Sequence, residues 1–322
     1  MAMTFNKKYS ARTVPAVLAI GIFMGGVFTG CGPVATQGGV NYVDRQETSM
    51  PAANNKDEQD KIMKDFQAMI ENDVKLPEII KFVDANISKV SKEKAAKMVD
   101  ELEKLQQEFL PDIDKRFYSD GTIQAKMSEA FAEGFDLDKI FAIEDEKVKG
   151  LLEETKNSGY KVETAEGMFF PVIDYEFYKK YSEYVTEDIR EYINIMAVES
   201  SSTPAKDAAL VIGWDEVLKR ASNQEKFINQ YKDSVKVDKV RELHRKYLTF
   251  TLFGLNNTPL FEYDSKAMDP KAKEAYLKFL EYGNSSEFRT IVKDYMSLLE
   301  KSGYKLTDEV VKFRENLVGK SN

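Results

Sequence analysis

From residue 58 onward the apolar residues of this chain recur every three or four positions. Ile62, Phe66, Met69 and Ile70 form one such stripe, and Ala95, Met98, Val99, Leu102, Leu105 and Phe109 form a longer one. This spacing follows the 3.6-residue turn of a helix with one buried face and does not suit the two-residue period of a strand. The chain is thereby restricted to packing amphipathic helices. Pro77 suits the first turn of a helix running to about Ile87, and Ser91 is placed to cap a long helix that is expected to end before Pro111. Further helices are expected over 123–133, 145–157, 175–200, 214–231, 236–253, 270–282, 286–301 and 307–318. The predicted fold class is mainly α, a helical bundle-like domain over 58–322 whose one place for a subdivision is near residue 158.

One segment breaks the helical spacing. Between Ser158 and Asp174, Tyr160, Val162 and Thr164 alternate with polar residues, Ala165-Glu166-Gly167 gives a turn signal, and Met168-Phe169-Phe170 and Val172-Ile173 follow. This pattern predicts one small β-hairpin, which must pack on helices to be stable. A Leu-Leu-Glu followed by Ser-Gly-Tyr-Lys occurs both at 151–161 and at 298–305, each time with a glycine, Gly159 or Gly303, where a helix should end. Coincidental cap chemistry accounts for the recurrence more economically than a duplication, and no unit of 30 to 50 residues recurs three times as a solenoid would require.

The first thirty residues read differently. Lys7, Lys8 and Arg12 stand without an acidic residue before the run VPAVLAIGIFMGGVF at 14–28, the pattern of a secretory signal. The run falls short of the roughly 18 residues of a permanent membrane helix. It ends at Phe28-Thr29-Gly30-Cys31, and Cys31 is the only cysteine in 322 residues. These four residues resemble the lipobox of bacterial lipoproteins, although Phe28 stands where leucine is usual. The resemblance implies cleavage between Gly30 and Cys31 and acylation of the Cys31 thiol, which anchors the protein to a membrane on the extracytoplasmic side. Each buried methylene contributes roughly 0.8 kcal/mol, so two or more chains hold stably. The stretches EGMFFPVID and NNTPLFEY resemble Gram-positive surface lipoproteins of no assigned activity, and no activity carries over from them.

Loss of the signal removes three cations and leaves a net charge of about -11. Acidity of this kind, without a cluster of Lys and Arg, disfavours nucleic acid and anionic lipid as partners. With its one thiol committed to lipid, the chain has no disulfide, and its fold rests on apolar packing. Residues 31–57, rich in Gly, Ala, Pro and Asn, are expected to form the lipid anchor and a flexible tether of about 28 Å root-mean-square span.

Few groups suited to difficult chemistry remain. His244 is the only histidine and is expected to face solvent from a helix whose apolar stripe is Val237, Val240, Leu243 and Tyr247. A zinc site needs three or four ligands and a catalytic triad needs a nucleophile motif, so neither is expected. Glu166 and Asp174 flank the apolar strand and are the carboxylates a glycosidase would have to place about 5 to 10 Å apart. No phosphate loop or calcium loop is present, and no cofactor is expected. Tyr175, Tyr178 and Tyr181 are candidates for a partner-binding surface, because tyrosine gives large contact area with a polar tip, although core packing suits the same spacing. Trp214, which opens a helix, and Asn257 and Phe261, in the apolar loop Gly254–Tyr263, are the other candidates. The expectation is a membrane-anchored, non-catalytic binding or scaffold module for an envelope protein or wall polymer. The alternatives are a small-ligand receptor for a transporter and a carboxylate-based wall hydrolase.

Overall fold

The computed structural model describes residues 56–119, 121–131, 143–283 and 285–319. The signal expected over 1–30, the anchor at Cys31 and all but the last two residues of the tether lie outside them. Helix α1 (Lys56–Glu71) is followed by α2 (Leu76–Asn86), a 3-10 turn (Ile87–Lys89), the long α3 (Lys92–Tyr118), α4 (Gly121–Ala130) and α5 (Glu146–Asn157). The hairpin β1 (Tyr160–Ala165) and β2 (Met168–Ile173) comes next, then a 3-10 segment (Phe177–Tyr181) and α6 (Glu187–Ser201). A two-residue ladder, β3 (Ala205–Lys206) with β4 (Ala209–Leu210), leads to α7 (Trp214–Gln230) and α8 (Val237–Phe253). A second such ladder, β5 (Gly254–Leu255) with β6 (Thr258–Pro259), precedes α9 (Pro270–Glu281), α10 (Glu287–Lys301) and α11 (Asp308–Gly319). The fold is mainly α with small antiparallel hairpins, and the structure adds two minimal ladders to the one hairpin visible in the sequence.

Local chemistry sets many of these limits. Ser91 caps α3 through its hydroxyl, which accepts from the Lys94 backbone N–H at 3.4 Å, and Gln59 from α1 accepts from Ser91 N–H at 3.1 Å. The expected stop before Pro111 does not occur. Proline removes one hydrogen bond of the helical ladder, but Pro111 lies on the exposed side, while Ile113 and Phe117 continue the buried stripe of Leu102 and Gln106. Burial of the last two turns outweighs the missing bond.

A second difference concerns 175–200, expected as one helix. It is a 3-10 segment with a turn, and α6 begins only at Glu187. The tyrosines at 175, 178, 181 and 184 repeat every three residues, the period of a 3-10 helix. The hydroxyls of Tyr175, Tyr178 and Tyr181 each find a partner on α2 or α3.

The buried apolar residues form two clusters. The first gathers α1 to α6 and the hairpin around α3, with Met98, Leu102, Phe117, Leu152 and Tyr178 among its fully buried members. The second gathers α7 to α11 around Leu218, Tyr247, Tyr276, Phe288 and Tyr295. Near residue 158, Tyr160, Val162 and Phe169 pack in the first cluster with both flanking elements. Phe227 of α7 and Val240 of α8 also pack in the first cluster, so the two are joined by apolar contact as well as by charge. Lys236, at the start of α8, reaches Asp100 and Glu103 of α3, the latter at 2.7 Å. Within the second cluster, Glu225 of α7 caps α10 by accepting from Phe288 N–H at 2.7 Å. No helix among the described residues is long and apolar enough to cross a membrane.

Candidate functional site: the hairpin groove

The hairpin register pairs Tyr160 with Ile173 and Ala165 with Met168, so strand alternation sorts its side chains onto two faces. Tyr160, Val162 and Phe169 point inward and are buried. Lys161, Glu163, Ala165, Met168, Phe170 and Val172 share the outward face, where Met168 is 39% exposed and the others are half-buried. The outward face of an antiparallel hairpin is ordinarily polar. Here it is largely apolar.

This face forms one side of a groove of about 510 Å³. Leu110 of α3, Phe170 and Val172 of β2 and Met196 of α6 supply its apolar surface, and Lys161, Glu163 and Lys206 its charged rim. Lys161 Nζ donates to Glu163 at 2.7 Å and to the Ser200 carbonyl, and Lys206 reaches Glu163 at 3.4 Å. Burial works to raise the Glu163 carboxyl pKa, but the two ammonium groups overcome it and hold the group below its usual value. Glu199, which also lines the groove, has the opposite balance. Burial raises its pKa, and the Tyr247 hydroxyl at 2.6 Å and the Arg220 guanidinium at 3.3 Å offset only part of that rise.

The three hairpins follow one another along the surface. Lys206 links the β3–β4 ladder to the main hairpin through Glu163, and Asn257 links it to the β5–β6 ladder. The Asn257 N–H donates to the Ala208 carbonyl at 2.9 Å, and its side-chain amide donates to the Asp207 carbonyl at 2.6 Å. Asp207 and Ala208 both have left-handed backbones, at φ 48° and 58°, although neither is glycine. The two asparagine contacts hold that turn against its own backbone preference.

The residues expected to meet a partner are distributed otherwise. Tyr175, Tyr178 and Tyr181 are buried in the first cluster, and only Tyr175 touches the groove wall. Their hydroxyls are committed: Tyr175 donates to Glu103 at 2.6 Å, Tyr178 to Gln106, and Tyr181 to Asp84 at 2.6 Å. They form an interior polar network and offer no outer surface. Trp214 is buried edge-on against Tyr276, with ring centroids 6.2 Å apart. Phe261 is also buried, with the Arg314 guanidinium 5.8 Å from its ring. Of these candidates in the described residues, Asn257 alone is exposed.

Two further expectations are corrected. His244 does not face solvent: its Nδ1 lies 3.0 Å from the Ala221 carbonyl and its ring meets Phe288 edge-on at 5.6 Å. Burial lowers its pKa, which favours the neutral ring. Glu166 sits at the tip of the hairpin and Asp174 beyond its open end, about 20 Å apart along a strand that rises roughly 3.3 Å per residue. Glycosidase carboxylates stand within about 10 Å of each other, so these two do not form such a pair. Among the described residues no group of three or more His, Cys, Asp or Glu side chains could hold a metal ion.

The groove residues Lys161, Glu163, Met196 and Lys206 were not singled out by the sequence. The available signal was β2 itself, whose residues are apolar on both faces from Met168 through Ile173. Comparison with protein-family models, with curated proteins and with solved structures gave no match.

Proposed function

We propose that the protein is an exported lipoprotein, held to a membrane by acyl chains on Cys31, and that it works as a non-catalytic binding module. The occupant of the hairpin groove is an apolar segment of an envelope protein. The outward hairpin face supports this reading, because Met168, Phe170 and Val172 keep apolar surface beside a charged rim. Covering such surface contributes roughly 25 cal/mol per Å², while Lys161, Glu163 and Lys206 orient whatever lies across it.

The receptor alternative fits less well. Two-lobed receptors of that kind alternate strands and helices around a central sheet, and strands in the described residues occur only as isolated antiparallel pairs.

A photo-crosslinking residue at position 168, expressed in intact cells, tests the proposal. It should give a discrete protein adduct that is lost when Phe170→Asp is added, whereas the same probe at the exposed position 235 gives none. A glycan adduct would assign the groove to a wall polymer instead. No adduct at 168, or the same adducts at 168 and 235, would overturn the proposal. Cys31→Ser should release the protein from the membrane fraction without changing its fold, and retention would refute the anchor.

A further inference from the structure

Three glutamine amides bind main chain between elements of this molecule. Gln59 accepts from the Ser91 N–H, Gln106 donates to the Ser158 and Gly159 carbonyls, and Gln124 both accepts from and donates to the backbone of Phe169. Gln224 is different. It is 1% exposed, and neither its amide oxygen nor its amide nitrogen has a hydrogen-bonding partner. An unpaired buried polar group costs about 1 to 3 kcal/mol, and leucine would fill similar space without that cost.

Gln224 lies on the wall of a second groove, of about 470 Å³, between α6 and α7. Glu199 touches both grooves, so the last turns of α6 stand between them. Four glutamates and four Lys or Arg residues line the α6–α7 groove, so their charges balance in number, and most are paired: Arg190 with Glu187, Lys219 with Glu216 at 3.0 Å, and Arg220 with Glu216 at 3.0 Å and Glu199 at 3.3 Å. The remaining polar lining is carboxamide, from Asn194, Asn223, Gln224 and Gln230, and Tyr231 adds a half-buried ring packed on Phe227 at 5.1 Å.

Such a lining has no net charge to attract an ion. It presents donors and acceptors side by side, together with one aromatic ring. A carboxamide offers one donor group and one acceptor about the spacing of neighbouring hydroxyls, and a tyrosine ring packs against the C–H face of a pyranose. We propose that the α6–α7 groove binds a neutral saccharide and that the Gln224 amide hydrogen-bonds its hydroxyls. The site is independent of the hairpin groove and of what that groove binds.

The test uses full-length protein purified in detergent, titrated calorimetrically with N,N′-diacetylchitobiose, maltose and, as a charged control, glutamate. At least one of the two sugars should bind, and Gln224→Leu should weaken it by about tenfold or more, the effect of losing one well-placed polar partner. Without sugar, Gln224→Leu should melt at the same temperature as the parent or higher, because the orphan amide is gone. Should that variant fold poorly, Asn223→Ala, at an exposed position on the groove, should weaken the same sugar. Phe170→Asp should leave sugar binding unchanged, which separates this site from the hairpin groove. Binding of neither sugar, binding of glutamate alone, or sugar affinity unaffected by changes at Gln224 and Asn223 would each overturn the proposal.

Discussion

Replacing Glu103 by glutamine is the most direct probe of the charged link between α3 and α8. Glu103 is 1% exposed in α3 and accepts from the hydroxyls of Tyr175 and Tyr192 at 2.6 Å each, from Lys236 at 2.7 Å and from Lys239. Burial acts to raise its pKa, and the charges of Lys236 and Lys239 overcome it, lowering the group from 4.5 to about 2. A carboxyl depressed by this amount contributes about 3 kcal/mol of stability once both folded and unfolded forms are ionised. That contribution is complete above pH 4.5, falls as the pH drops from 4.5 to about 2, and is absent below. Glu103→Gln keeps the shape of the side chain but leaves Lys236 with Asp100 as its one remaining buried counter-charge. Urea unfolding should therefore show a loss of about 3 kcal/mol at pH 7, within the range for breaking a buried ion pair. At pH 3.5 the gap between parent and variant should be about 1 kcal/mol smaller, because the unfolded parent has by then taken up most of its proton. A variant within 1 kcal/mol of the parent at pH 7, or a gap that does not narrow on acidification, would refute the assignment of this network as a stabilising link.

The recurring Ser-Gly-Tyr caps should respond unequally to the same change. Gly159 and Gly303 both have left-handed backbones, at φ 72° and 64°, but a Cβ at 159 would lie 2.3 Å from the Gln106 amide nitrogen, while nothing lies within 4 Å at 303. Gly303→Ala should cost about 1 kcal/mol, the backbone penalty alone, and Gly159→Ala about 3 kcal/mol, since it also displaces Gln106 from two carbonyls; equal costs in chemical denaturation would refute this. Gln124→Leu removes the partner of both the N–H and the C=O of Phe169 and should cost about 2 kcal/mol. Hydrogen exchange at the Phe169 amide should accelerate in that variant, and unchanged protection would count against the contact.

The sequence revealed the elements that follow from local rules. Ser91 as a cap, Pro77 in a first turn, Gly159 and Gly303 beyond helix ends and the turn at Glu166-Gly167 each depend on neighbours a few residues away. The departures come where distant partners decide. Pro111 is carried through because Phe117, six residues on, is fully buried, and the tyrosines leave the α-helical path because Glu103, Gln106 and Asp84 await their hydroxyls some 70 to 100 residues earlier in the chain. The groove was hidden for the same reason, since its surface comes from α3, β2, α6 and β3. An apolar run such as Met168–Ile173 reveals that both faces of a strand are covered or usable, but not what stands opposite.

The contact between Gln124 and Phe169 also limits how anything can approach the hairpin. A side-chain amide occupies the main-chain donor and acceptor that an incoming strand would take at Phe169, near the start of β2. Extension of the sheet by another polypeptide is thereby blocked at that point, including extension by a second hairpin of the same kind. For the occupant proposed above, contact comes over the flat of the hairpin, through side-chain shape, so a change of its sequence should be felt more sharply than main-chain templating would allow.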